Sequence, residues 1–171
     1  YEIARIVKAS VNLVIYKIRI SGGEPLVRKD LINLIFSLNS IDGIKDISMT
    51  TNGVLLKKYA RELKEAGLSR VNISLDSLRQ DRYKFITRQG SLDDVLSGIG
   101  ESLKVGLSPL KINVLLLDGI NKDEIVNFLR LTLENDVCVR FLEFMPVNSF
   151  FKVEDFISCQ AVMEITKGFP A

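Results

Sequence analysis

Histidine and tryptophan are absent from this 171-residue chain, and cysteine occurs only twice. Each absence removes a class of chemistry. Without histidine the chain can build neither a Ser-His-Asp nor a Cys-His mechanism, nor a His-ligated zinc site. Cys138 and Cys159 are too few for an all-cysteine zinc site or for an iron–sulfur cluster held by these residues alone. They also exclude a disulfide-rich scaffold. No apolar run reaches the ~18 residues of a membrane span. The longest candidate, residues 112–117, is broken by Asn113 and closed by Asp118-Gly119. Neither sign of charge dominates: 23 basic and 21 acidic residues give a net charge of +2. That balance exerts no general pull on nucleic acid or membrane, so neither is expected as a partner. No signal peptide is visible, and sparse cysteine suits a reducing cytoplasm, the expected location. The chain starts at Tyr1 rather than Met, in what already reads as helix interior, and so reads as a fragment.

What is present is ordinary for one globular domain: 47% hydrophobic and 26% charged residues. Strand and helix patterns alternate. Helical spacing covers residues 1–13, and a short β-rich run follows at 16–21. Asp30 is placed to cap a helix carrying Leu31, Leu34, Ile35 and Leu38 on one face. A strand at 46–51 ends in Asn52-Gly53, and helix 54–66 stops at Gly67. Strand 70–76 leads to a short helix around 81–86. Ser91 and Asp94 have the spacing of a capping box before a helix that Gly106 ends. A strand at 111–117, a helix opened by Asn121 and Glu124, and a strand at 137–145 follow. The tail over 153–166 looks helical but less periodic.

Such alternation implies right-handed βαβ units and a parallel sheet. Parallel strands covered on both faces should be apolar on both. Here four strands carry a polar face at period two. Lys17, Arg19 and Ser21 oppose Ile18 and Ile20; Ser48 and Thr50 oppose Ile47 and Met49. Arg70, Asn72, Ser74 and Asp76 oppose Val71, Ile73 and Leu75; Lys111 and Asn113 oppose Ile112 and Val114. A filled eight-stranded barrel would want bulky apolar side chains inside. The pattern therefore predicts an incomplete, open barrel around a sizeable polar ligand. The competing arrangement, an antiparallel sheet with one wet face, is opposed by the helix-length connections.

Polar and Gly residues collect after each strand: Ser21-Gly22-Gly23-Glu24-Pro25, Thr50-Thr51-Asn52-Gly53, Ser74-Leu75-Asp76, Asp118-Gly119, and Glu143-Phe144-Met145-Pro146. Parallel α/β folds build their sites at these carboxyl ends. Gly22-Gly23 would let backbone approach a ligand closely, although a Gly-Gly turn is often plain geometry. Thr50 and Ser74 offer hydroxyls, whose common role is to satisfy a strand end. Arg19 and Lys111 need counter-charges, either a barrel carboxylate such as Glu143 or Asp76, or a ligand phosphate. The excess of cations on these faces favours the phosphate. Arg79, Arg82, Lys84 and Arg88 read as a solvated basic loop, with a rim that attracts an anionic substrate as the alternative. Cys138 and Cys159 read as small buried hydrophobes, and Met145 as core or ligand contact. A Lys111 Schiff base is chemically accessible, but nothing local singles it out. No catalytic residue is identified.

At these residues the sequence resembles the molybdenum cofactor biosynthesis protein A family, the radical S-adenosylmethionine (SAM) enzymes also called GTP 3′,8-cyclases. The resemblance runs through Lys17-Ile-Arg-Ile-Ser-Gly-Gly-Glu-Pro-Leu-Val-Arg-Lys-Asp-Leu31 and Thr50-Thr-Asn-Gly-Val-Leu55. It continues through Arg70-Val-Asn-Ile-Ser-Leu-Asp-Ser-Leu78, Lys111-Ile-Asn-Val-Leu115 and Val139-Arg-Phe-Leu-Glu-Phe-Met-Pro-Val147. Gly-Gly-Glu-Pro is common to many radical SAM enzymes; Arg19 two residues ahead of Ser21, the Ser74–Leu78 strand end and the Phe141–Pro146 run are together much more specific. The resemblance implies a partial, open (βα)6 TIM-type barrel over residues 1–147; it has no convincing match after Val147, and the pattern there gives 148–171 as a helical tail and no second domain. It implies that Gly23, Ser74 and Met145 contact SAM, and that Arg19, Thr50 and Lys111 contact GTP. It implies two 4Fe–4S clusters, an external electron donor, and the first step of molybdenum cofactor synthesis. The family's first barrel strand and first cluster loop, Cys-x3-Cys-x2-Cys, would precede Tyr1. Its second set of cysteines would follow Ala171. No metal role therefore falls on Cys138 or Cys159, and this stretch alone is expected to be inactive. A homodimer is compatible with the sequence. The competing functions are another radical SAM enzyme, such as one that modifies a peptide, and a non-catalytic nucleotide-binding barrel.

Overall fold

The computed structural model describes residues 2–145 and 156–169. Helices and strands alternate as α1 Glu2–Val11, β1 Lys17–Ile20, α2 Leu31–Asn39, β2 Asp46–Thr51, α3 Leu56–Glu65, β3 Arg70–Ser74 and α4 Gln80–Thr87. The chain continues as α5 Leu92–Lys104, β4 Leu110–Leu115, α6 Ile125–Glu134, β5 Val137–Leu142 and α7 Cys159–Ile165. All four ladders are parallel, and the strands lie in sequence order from β1 to β5. That order decides the architecture. Crossovers between parallel strands are right-handed, so an order that never reverses puts every connection on the same face. A doubly wound sheet would reverse to cover its second face. The chain is accordingly an α/β partial barrel, open, with helices outside and the opposite sheet face free of connections.

The strand alternation divides core from lumen. Ile47, Met49, Val71, Ile73, Leu110, Ile112 and Val114 point to the helices and are at most 1% exposed. They meet Leu34, Ile35 and Leu38 of α2, Leu56, Ala60 and Leu63 of α3, Val95 and Ile99 of α5, and Ile125 and Phe128 of α6. Apolar area taken from water on this side drives the fold, at roughly 25 cal/mol per Å². Helices α3 and α5 approach closely at Gly98, where a methyl group would lie 2.7 Å from the Gly53 carbonyl and 2.9 Å from Leu56 Cβ.

Helix ends follow the expected glycines more closely than the expected caps. At Gly67 (φ +106°) the Leu68 N–H bonds the Leu63 carbonyl at 2.9 Å and the Gly67 N–H bonds Lys64 at 3.0 Å. Gly106 ends α5 in the same two-bond pattern. The polar caps fail. Asp30 makes no cap bond and pairs with Arg28 at 2.7 Å. Ser91 makes none either, and the Leu92 N–H at the start of α5 is instead satisfied by Gln80 Oε1 at 3.1 Å. Asn121 and Glu124 precede α6, but Asn121 does not cap it. Strands β3, β4 and β5 are shorter than the sequence suggests. At the end of β3 the Asp76 carboxylate, not a strand carbonyl, accepts the Leu115 N–H at 2.8 Å, which ends the ladder. The expected tail helix is observed only as α7; residues 153–155 lie outside the described residues.

Candidate functional site

Parallel register lines the polar side chains up across the strands in rows. Arg19, Ser48 and Arg70 are neighbours in one row. Thr50, Asn72, Lys111 and Cys138 form the next. Ser74, Asn113 and Arg140 form a third, nearer the carboxyl ends. One strand face thus carries Lys17, Arg19, Arg70, Lys111 and Arg140, five cations on four strands.

Three of the five are neutralised or oriented by the protein: Lys17 Nζ lies 5.5 Å from the Tyr16 ring centroid. Arg70 is ion-paired with Asp46. Arg140 Nε donates to Asn113 Oδ1 at 2.9 Å. Among the described residues, the side chains of Arg19 and Lys111 have no hydrogen bond or ion pair. The two carboxylates expected as alternative partners are engaged elsewhere. Asp76 accepts from Leu115, and Glu143 Oε1 accepts the Cys159 N–H at 2.6 Å. Burial raises the Asp76 pKa, with the Leu115 hydrogen bond opposing the shift. Arg19 is exposed and Lys111 half-buried on a face that no connection covers. Such a pair suits an anionic ligand spread over several strands.

The remaining expected residues occupy the rim. Gly23 is exposed in the turn after β1, and a methyl group added at Gly22 or Gly23 would meet nothing within 4 Å. Neither glycine has a positive φ, so open approach rather than backbone conformation is what they offer. Thr50 is half-buried, and its Oγ1 accepts from Asn72 Nδ2 at 3.5 Å, the outer limit of a hydrogen bond. Ser74 is exposed at the end of β3. Met145 is 72% exposed beyond β5, so it is not core. Thr50 and Lys111 share a row, whereas Gly23 and Met145 follow the two edge strands.

Two expectations are corrected. Cys138 and Cys159 are both exposed, not buried. Cys138 falls on the polar parity of β5, in register with Lys111, and Cys159 is the first residue of α7. The basic stretch after β3 is not uniformly solvated. Arg82 bridges exposed Asp123 and buried Glu124, the latter at 2.9 Å, and both contacts raise its pKa.

Sequence reasoning missed the polar ties that hold the strand exits. Glu124, 1% exposed, also accepts from the Ser77 hydroxyl at 2.9 Å and the Leu78 N–H at 2.7 Å. Asn121, fully buried, donates to the Asp76 and Leu115 carbonyls at 2.7 and 2.8 Å, and accepts the Leu117 N–H at 2.8 Å. Glu24 ties the β1 exit to the β2 exit through Thr51 and Asn52. The only sequence signal for these was polarity beside an otherwise apolar run.

The face offers cations, hydroxyls and an open glycine turn. Among the described residues no three His, Cys, Asp or Glu side chains group as they would to hold a metal ion. The residues present therefore fit a polar, anionic, nucleotide-like ligand and do not fit an iron–sulfur cluster. No helix among the described residues is long and apolar enough to cross a membrane.

Comparison with known proteins gives this geometry a relationship. Residues 1–132 match the model of the radical SAM superfamily. The chain is 50% identical to a GTP 3′,8-cyclase of Alkaliphilus oremlandii, over 99% of this chain and 57% of that protein. It is 56% identical to one from Petrotoga mobilis, over 85% of this chain and 45% of that protein. It thus spans only about half the length of the curated relatives it matches. Among solved structures it superposes on Streptococcus suis SuiB with a TM-score of 0.73 at 19% identity, covering 96% of this chain and 38% of that one. It superposes on Escherichia coli coproporphyrinogen III oxidase, described as a radical SAM enzyme, with a TM-score of 0.67 at 14% identity, covering 98% and 43%. At those identities the structural likeness speaks for the fold alone.

Proposed function

From a chain that belongs to the radical SAM superfamily, we propose the barrel portion of a GTP 3′,8-cyclase, acting in the first step of molybdenum cofactor biosynthesis. Residues 1–147 are its barrel core and 148–171 a tail. The substrate is GTP, and the complete enzyme draws electrons from an external donor in the cytoplasm. Residues Arg19, Thr50 and Lys111 contact GTP. The observation that carries this reading is the pair Arg19 and Lys111, two cations on the uncovered sheet face with no acidic partner among the described residues. A triphosphate supplies the missing counter-charge, and Thr50, in the same row as Lys111, supplies a hydroxyl to the nucleotide.

SAM fits the rim. The open space over Gly23 admits a ligand's polar end to the backbone, and Ser74 and Met145 present an exposed hydroxyl and thioether at later strand exits. When bound, SAM supplies the chemistry of hydrogen abstraction from the substrate. The chain's own residues bind and orient. They hold the nucleotide's phosphates on Arg19 and Lys111, so that its far end reaches toward the strand exits. The cysteines present do not fit a cluster, and no step is assigned to one.

The test is a GTP titration of the full-length protein beside its Arg19→Ala variant. Loss of one charge-assisted contact is expected to weaken GTP binding by roughly 10- to 100-fold. Unchanged affinity would count against the cyclase and for a radical SAM enzyme with a different substrate, such as a peptide.

A further inference from the structure

Glu24 follows Gly23, which the reading above sets against SAM, and its charge invites the reading that it binds the ligand's ammonium group. The geometry argues otherwise. Glu24 Oε1 accepts the Leu26 N–H at 3.0 Å and the Thr51 hydroxyl at 2.7 Å. Its Oε2 accepts the Asn52 N–H at 2.8 Å. Thr51, 3% exposed, gives its one hydroxyl proton to Glu24 and accepts the Gly53 N–H at 3.1 Å. The carboxylate is held by three donors from its own chain, without a cation among the described residues. Those donors come from two strand exits, one beside Gly23 and the other beside Thr50. A carboxylate held this way forms charge-assisted bonds that are roughly twice as strong as neutral ones.

We infer that Glu24 is a positioning residue that acts through Thr51 and Asn52, fixing the Gly22-Gly23 turn against the end of β2 so that the SAM and GTP subsites keep their spacing. The inference rests on the SAM and GTP reading above. It goes beyond that reading in separating the glutamate's side chain from the ligand and in assigning Thr51 a part. Thr51 touches no ligand in this arrangement: it lies on the buried parity of β2, and Thr50 on the lumen parity.

Equilibrium dialysis of radiolabelled SAM against full-length, cluster-loaded protein tests it, with thermal melting of each variant as a check on folding. Glu24→Gln keeps the shape but offers an amide donor where Oε1 or Oε2 met one, and is expected to weaken SAM binding about tenfold. Thr51→Val removes the hydroxyl with little change of volume and is expected to weaken it about fivefold, while Thr51→Ser restores wild-type binding. The double variant Glu24→Gln/Thr51→Val is expected to be no weaker than Glu24→Gln alone, because both changes break one tie. Wild-type SAM binding in Thr51→Val, or losses that multiply in the double variant, would overturn the inference and leave the SAM reading intact. A direct ammonium contact would appear as a Glu24→Gln loss that Thr51→Val does not share. A wild-type protein that binds no SAM would remove the SAM reading, and the inference with it. If Glu24→Gln melts far below wild type, the Thr51→Val and Thr51→Ser pair still decides.

Discussion

Replacing Asn121 by alanine should be among the costlier single changes in this chain. Its side chain is fully buried and makes three hydrogen bonds of 2.7 to 2.8 Å, to the Asp76 carbonyl, the Leu115 carbonyl and the Leu117 N–H. At about 1 kcal/mol of net stability per neutral bond, the bonds alone come to about 3 kcal/mol. Truncation also strands the partner groups; Leu117 and Asn121 are both fully buried, so water has no ready access to them. Adding part of that desolvation cost gives about 3–5 kcal/mol. Urea unfolding should show a lower midpoint with an unchanged slope. Asn121→Asp should be similarly harmful, since it keeps the acceptor for Leu117 but turns both donors into a carboxylate facing two carbonyls. Asn135→Ala provides the scale: that residue is exposed and its side chain makes one 3.3 Å bond to the Leu131 carbonyl. It should cost within about 0.5 kcal/mol. An Asn121→Ala cost below about 1 kcal/mol would refute the argument that this side chain holds the exits of β3 and β4 together.

Gly98→Ala gains about 1 kcal/mol of helix propensity yet places a methyl group 2.7 Å from the Gly53 carbonyl, so α3 and α5 must separate. A net loss of about 1–2 kcal/mol is expected by thermal melting, and a stabilised variant would mean the two helices slide freely. Asp76→Asn should stabilise the fold at pH 7, because burial raises the native pKa of Asp76 above its ordinary 3.8 and so penalises the charged form that neutral pH imposes. A raised carboxylate pKa contributes stability that is present at low pH and lost as pH rises through the native value. The advantage of the amide, which still accepts from Leu115, should therefore shrink as urea midpoints are measured at pH 7, 5.5 and 4; an advantage that grew toward pH 4 would contradict the assignment.

The alternation in the strands made both the core and the polar face legible. Ile47 and Met49, or Ile112 and Val114, need only a period of two to be sorted from Ser48 and Thr50, or Lys111 and Asn113. The helix ends at Gly67 and Gly106 were legible because a left-handed residue after an amphipathic run has few other uses. The cap expected at Asp30 is not made because a capping side chain competes with any nearby partner, and Arg28 takes its carboxylate. The ties through Glu24, Asn121 and Glu124 left no periodic pattern. They join residues 27, 45 and 47 positions apart, and such contacts have no period to detect. The exposure of Cys138 was readable in principle, since it shares the parity of Arg140, but its apolar character concealed it.

The parity that divides the strands has a consequence for how such a protein changes. A deletion or insertion of one residue inside β2 would turn Ile47 and Met49 toward the ligand face and Ser48 and Thr50 into the helices, losing core and binding surface together. A substitution at Thr50 alters what the lumen offers, while one at Ile47 or Met49 alters the packing against the helices. The two alphabets are interleaved along the same six residues, and Thr51, tied to Glu24 from the buried parity, is where they meet. A barrel laid out this way can take on a new ligand by point substitution on one parity, while tolerance of insertions is confined to the loops at the strand exits.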